Sequence, residues 1–222
     1  MNGPVKQHTG PFHMSRRRRT DTLSPRNPAQ SELLNSLENF QLTFAAGSAG
    51  TGKTYIATSV ACELLKTERI RQIIITRPMV EAEEKIGFLP GDVNEKFAPY
   101  FAPIREILDL HFPNVDQMVK NRQIEIAPIA FMRGRTFNDA FVLFDEAQNT
   151  TPKQMKLFLS RLGDYARVCV TGDLDQMDIE GKSGLEDAME RHSNIPEVRI
   201  VRFEDKDVVR SKLVRKILAN YK

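Results

Sequence analysis

The octet Gly47-Ser48-Ala49-Gly50-Thr51-Gly52-Lys53-Thr54 fits the pattern of a glycine, four residues and Gly-Lys-Thr. Small residues at these positions let the backbone turn its N–H groups toward a chain of phosphates. Lys53 brings an ammonium to the β- and γ-phosphates, and the Thr54 hydroxyl is an oxygen ligand for Mg²⁺. The pattern has meaning only between a strand and a helix. Leu42 to Ala46 can form a buried strand, and Tyr55 to Leu65 carries apolar residues at helical spacing. Residues 47–54 are therefore candidate contacts to a nucleoside triphosphate.

A second chemical feature closes the apolar run Ala140 to Phe144, which ends in Asp145-Glu146. In a phosphate-loop site the first carboxylate holds Mg²⁺, often through water, and the second polarises the water that attacks the γ-phosphorus. Asp145 is the candidate metal ligand beside Thr54, and Glu146 the candidate base. The acidic box continues as Ala147-Gln148, and a later strand ends in Thr171-Gly172-Asp173-Leu174-Asp175-Gln176. This layout resembles that of superfamily 1 helicase motor domains, a likeness that implies Gln176 as candidate γ-phosphate sensor and Gln148 as its partner. The alternative for Gly172-Asp173 is a simple turn.

The elements that must position these groups alternate. A helix is predicted from about Gln30 to Asn39, a strand over Gln72 to Thr76, and a turn-rich stretch around Gly87, Pro90 and Gly91. A helix over Asn94 to Leu110 is interrupted or restarted near Pro99 and Pro103. Further strands are expected at 124–127, 140–144, 167–171 and 198–201, a helix at 152–162, and an amphipathic helix over the basic segment from Lys206 to Lys222. The uninterrupted apolar run before Asp145 is expected of a strand covered on both faces. Together these predict an α/β, doubly wound, mostly parallel sheet in three αβα layers, and with the phosphate loop and acidic box the arrangement resembles the RecA-like phosphate-loop NTPase type.

With 222 residues the chain can form one substantial α/β domain, placed at residues 25–222. Residues 1–24 hold Arg16-Arg17-Arg18-Arg19 without apolar periodicity and read as a disordered basic arm, either a solvated tail or a segment touching phosphates or a neighbouring subunit. A formal net charge of +3 does not by itself announce nucleic-acid binding. No apolar run approaches the ~20 residues of a membrane span, and no secretory h-region is present, so no membrane contact and a cytoplasmic location are expected. Cys62 and Cys169 lack metal-ligand spacing and read as small core residues.

The chain resembles the PhoH family of phosphate-loop ATPases, which is similar to the first motor domain of superfamily 1 helicases. The likeness is carried by residues 47–54, Thr76-Arg77-Pro78-Met79-Val80-Glu81-Ala82, Gly87 to Asp92, Met132 to Thr136, Asp145 to Thr151 and Thr171-Gly172-Asp173. The resemblance implies ATP binding and Mg²⁺-dependent hydrolysis by a ring-forming homo-oligomer, expected to be a hexamer, that acts on single-stranded RNA. It covers nearly the whole foldable chain and leaves room for no second motor domain. In the matching place before the first strand, Gln30 is the candidate reader of the adenine edge, which an amide can pair with donor and acceptor together. A ring would let an arginine reach a neighbour's γ-phosphate. Arg210 is the candidate, with Arg161 as the alternative. Arg77 either grips a nucleic-acid strand or organises the site, and Arg133 and Arg135 are candidate phosphate contacts. The rival reading is an RNA-binding module that uses ATP as a structural or switch ligand without significant turnover.

Overall fold

Strands here are runs of β-branched and aromatic residues whose successive side chains enter opposite layers. The computed structural model describes residues 23–79 and 93–209. The basic arm up to residue 22, the Gly87 to Asp92 motif, Arg210 and the rest of the C-terminal segment lie outside them. The elements are α1 (Pro28–Asn39), β1 (Leu42–Gly47), α2 (Lys53–Lys66), β2 (Gln72–Thr76), α3 (Val93–His111), α4 (Val115–Lys120), β3 (Ile124–Ile126), β4 (Ala140–Phe144), α5 (Pro152–Leu159), β5 (Arg167–Gly172), α6 (Gly184–His192) and β6 (Val198–Phe203).

The six strands form one sheet in the order β3-β2-β4-β5-β1-β6, with every pairing parallel. Alternation along each strand divides the core. Ile73, Ile75, Phe141 and Leu143 meet helices α1 to α4 on one face, while Ile74, Val142, Phe144, Val168 and Val170 meet α5 and α6 on the other. The expected three-layer doubly wound fold is present. Its order places β5 between the phosphate-loop strand β1 and the acidic-box strand β4, so the carboxyl ends of β1, β5, β4 and β2 stand side by side.

Local signals fix where the helices begin. Asn27 accepts the Gln30 N–H at 2.8 Å with Pro28 at the first turn of α1, and Thr151 forms a capping box with Gln154 before Pro152. The predicted helix at 152–162 ends earlier, at Leu159, in the turn through Ser160 that returns the chain to the sheet. Pro99 and Pro103 both lie inside α3 without ending it. The segment from Lys206 begins differently from the predicted helix: Asp205–Asp207 is a single 3₁₀ turn and Val208 is extended. Two short helices, α4 and α6, have no counterpart among the predicted elements. The α6 sequence carries helix signals that sequence reasoning missed: Leu185, Ala188 and Met189 are buried at helical spacing, Ser183 caps the first turn, and Glu186 and Asp187 follow it.

The α5 layer supports the acidic box. Phe158 is fully buried, with its ring 4.4 Å from that of Phe144 and 6.0 Å from that of Phe137. Truncating such a residue removes transfer energy and leaves a cavity. Phe158→Ala is expected to cost about 3–5 kcal/mol, measurable as a lowered urea midpoint at an unchanged m-value.

Candidate active site

Gly47 ends β1 at φ +136°, and a side chain there would overlap the backbone carbonyl of Phe203 on β6. Only glycine lets the loop leave the sheet this close to its neighbour. The chain then curls through Gly50 and reaches α2 at Gly52, which caps the helix at φ +89° with no side-chain cap, so the first-turn amides face the loop. A cavity of about 230 Å³ lies over this turn, lined by loop residues, Thr54, Tyr55, Asp145, Glu146, Gly172, Asp173 and Gln176.

Lys53 is 8% exposed and turns its ammonium back on the loop, donating to the Gly47 carbonyl at 2.5 Å and the Ser48 carbonyl at 2.9 Å. Burial lowers its pKa from the ordinary lysine value, against the opposing pull of Asp173, Glu146 and Asp145. The ring of Phe203 lies 5.9 Å from the ammonium.

Asp145 continues β4 into the site. Its Oδ1 accepts the Thr54 hydroxyl at 2.8 Å and the Thr171 hydroxyl at 2.5 Å. Its Oδ2 accepts Arg77 Nε at 3.0 Å and Nη2 at 2.6 Å. The pairing of Thr54 with Asp145 gathers hard oxygen donors of the kind Mg²⁺ prefers, so these residues fit that ion beside a phosphate chain. Glu146 follows at φ +55°, in the left-handed region, with its side chain 46% exposed beside the cavity. An L-residue held there is strained, and the strain aims its carboxylate at the cavity.

An amide–carboxylate chain joins the acidic box to the next strand. Gln148, almost fully buried, donates from Nε2 to Glu146 Oε2 at 2.8 Å and to the Gln176 carbonyl at 3.2 Å, and its Oε1 accepts the Asp173 N–H at 3.1 Å. Gln176 Nε2 donates to Asp173 Oδ2 at 2.6 Å, and the same oxygen accepts the Ala49 N–H of the loop at 2.9 Å. Gln148 and Gln176 are thus brought together both directly and through Asp173.

Residues 47–54, Asp145, Glu146 and Gln176 come together in one place. Gln30 adjoins them with its amide engaged on both sides: Nε2 donates to the Thr51 carbonyl at 2.7 Å, and Oε1 accepts the Arg26 N–H at 2.8 Å. Arg161, past the end of α5, donates to the Leu157 carbonyl, and Arg135 is paired with Glu125. Sequence reasoning missed Thr171 as a partner of Asp145, though it sits within a motif already singled out. It also missed the segment after β6, where Asp205 accepts the Ser48 hydroxyl at 2.6 Å and Val209 N–H donates to the Gly50 carbonyl at 3.0 Å. Asp205 is 157 residues from Ser48, and no local pattern marks it.

Comparison with known proteins accords with this geometry. The PhoH-like protein family model matches residues 22–222. The chain belongs to the PhoH family. Protein PhoH of Escherichia coli K12 is 46% identical over 210 residues, covering 92% of this chain and 59% of that protein. A PhoH-like protein of Mycobacterium tuberculosis H37Rv is 44% identical over 208 residues with the same coverages, and one from Bacillus subtilis 168 is 46% identical over 196 residues, covering 86% and 61%. The chain thus spans about three-fifths of the length of these PhoH relatives. Among solved structures, the large terminase of a thermophilic bacteriophage, in complex with ADP, aligns over 88% of this chain and 50% of its own at 12% identity, with a TM-score of 0.54. That likeness is one of fold, the phosphate-loop NTPase fold. No helix among the described residues is long and apolar enough to cross a membrane.

The buried ammonium is a cost to the folded chain when no phosphate faces it. Its folded pKa lies below its unfolded one, so the unfolded chain binds that proton more tightly and the cost persists at neutral pH. Lys53→Met is therefore expected to be at least as stable as the parent in thermal unfolding without added nucleotide. A clear drop in midpoint would mean that the bonds to Gly47 and Ser48 outweigh desolvation.

Proposed function

We propose that this PhoH protein binds ATP with Mg²⁺ on the loop 47–54 and hydrolyses it, and that turnover is coupled to binding or remodelling single-stranded RNA. The observation that carries the reading is the convergence of Lys53, Thr54, Asp145, Glu146 and Gln176 on one cavity at the carboxyl edge of the sheet. The loop amides and Lys53 hold the phosphates, with the ammonium exchanging the Gly47 and Ser48 carbonyls for phosphate oxygens. Thr54 and Asp145 would hold Mg²⁺. The ion supplies neutralisation of charge on the transferred phosphoryl group. Glu146 orients the attacking water and takes its proton, and Gln148 holds the other carboxylate oxygen still. Gln176, fastened to the carboxylate that also binds the Ala49 N–H, reports the γ-phosphate to the acidic box.

The RNA coupling, the ring and the cytoplasmic location rest on the family resemblance and on the helicase-like layout of the motifs. In a ring, Arg210 of one subunit would reach the γ-phosphate of the next, which stabilises charge in the transition state. Gln30 reads adenine by releasing the Arg26 N–H or the Thr51 carbonyl. Its bond to Thr51 would make base recognition and loop shape interdependent.

The test is ATP hydrolysis by the purified protein with and without single-stranded RNA, with oligomer mass recorded in the same samples. Turnover raised by RNA in a ring-sized assembly is the expected result. Nucleotide binding with slow turnover indifferent to RNA would instead make the protein a switch-like RNA-binding module. In the same assay Lys53→Ala is expected to lose nucleotide affinity. Glu146→Gln is expected to keep binding and lose turnover by about 10²–10⁴-fold, and normal turnover in that variant would remove Glu146 from its role as base.

A further inference from the structure

Arg77 is the first residue after β2, and its guanidinium is spent on the acidic box. Nε and Nη2 both donate to Asp145 Oδ2, Nη2 also stands 3.4 Å from Glu146 Oε1, and Nη1 donates to the backbone carbonyl of Tyr100 on α3. The Arg77 side chain is only 17% exposed and that of Asp145 3%. Thr76, the preceding residue, receives the Asp145 N–H at 2.9 Å. The arginine therefore starts from a backbone tied to the strand that carries the carboxylate.

A carboxylate offers about four lone-pair sites, and in Asp145 all are taken: two by the hydroxyls of Thr54 and Thr171, two by Arg77. A divalent cation held by Thr54 and Asp145 would need a lone pair of this carboxylate, as a ligand or as acceptor of a hydrogen bond from a bound water, so one donor would have to yield. Thr54 would become a ligand of that same ion, and Thr171 is neutral and fully buried. Arg77 is the donor whose positive charge also opposes the ion.

We propose that Arg77 is the resident counter-cation of the acidic pair and competes with the nucleotide's divalent cation for Asp145. It is a positioning residue. Loading of metal with nucleotide loosens the guanidinium from Oδ2, and because Nη1 is tied to Tyr100, the same event changes the contact between β2 and α3. The inference rests on the phosphate-loop reading given above, and it assigns Arg77 to the site rather than to a nucleic-acid strand.

The test measures binding rather than turnover. A fluorescent, non-hydrolysable ATP analogue is titrated with Mg²⁺ on the full chain, comparing the parent, Arg77→Gln and Arg77→Lys. An adjacent opposite charge commonly shifts carboxylate affinity for a proton by one to three powers of ten. By the same coupling, half-saturating Mg²⁺ is expected to fall about tenfold in Arg77→Gln and to stay near the parent value in Arg77→Lys. An Arg77→Gln protein needing as much Mg²⁺ as the parent, or more, overturns the proposal. Failure of the parent to bind the analogue at any Mg²⁺ concentration would instead remove the nucleotide site itself. Should Arg77→Gln not fold, the parent still decides the matter by NMR. The Arg77 Nε–H resonance is expected to move and to exchange faster with water when Mg²⁺ is added to the analogue complex, and an unmoved, protected resonance overturns the competition.

Discussion

A carboxylate with 3% of its side chain exposed is costly to bury unless donors match its oxygens, and Asp145 is matched from three separate elements. Thr54 comes from the first turn of α2, Thr171 from β5 and Arg77 from the end of β2. Its own N–H is bonded to β2 as well. These bonds set the spacing between the phosphate loop and the acidic box, because Thr54 cannot reach Oδ1 unless α2 starts where Gly52 starts it. The strand order follows the same constraint. With β5 between β1 and β4, Thr171 stands beneath the carboxylate and Asp173 comes level with the loop.

Asp173 closes the circuit from the other side. A single oxygen, Oδ2, takes both the Ala49 N–H and the Gln176 amide, while its backbone N–H binds Gln148. Charge-assisted hydrogen bonds of this kind are stronger than neutral ones and hold both partners to one geometry. Any group that draws the Ala49 N–H away from Asp173 would change the balance of the Gln148 and Gln176 amides, and Gln148 holds Glu146. The loop, the sensor candidate and the base candidate are therefore one hydrogen-bonded unit, in which a shift at one member is felt by the others.

Much of this was legible in the chain because the chemistry is local. The phosphate loop is eight contiguous residues between a strand and a helix, and the acidic box closes an apolar run, so both could be placed without knowing the fold. The doubly wound architecture followed from the same alternation. For Arg77 the sequence left two readings open, a nucleic-acid contact and an organiser of the site: its partners Asp145 and Tyr100 lie on different elements, and the residue type suits both. Nor could the sequence show that the amide of Gln30 spans Arg26 and Thr51, since that depends on where α1 ends up against the loop. Short α6 was missed although its cap Ser183 and the stripe Leu185, Ala188 and Met189 are local signals, because only nine residues carry them between two turn-rich stretches.

The segment after β6 extends the unit to the far edge of the sheet. Phe203 limits position 47 to glycine and places its ring near the Lys53 ammonium, Asp205 holds Ser48, and Val209 bonds the Gly50 carbonyl. Asn27, the cap of α1, donates to the Asp207 carbonyl at 2.9 Å. The loop is thus enclosed between α1, which brings Gln30, and the turn Asp205–Asp207, which leads toward Arg210. A loop whose shape depends on both flanks cannot change that shape without moving one of them. Whatever binds at residues 47–54 is consequently coupled, through Ser48 and Gly50, to the segment from Asp205 to Val209.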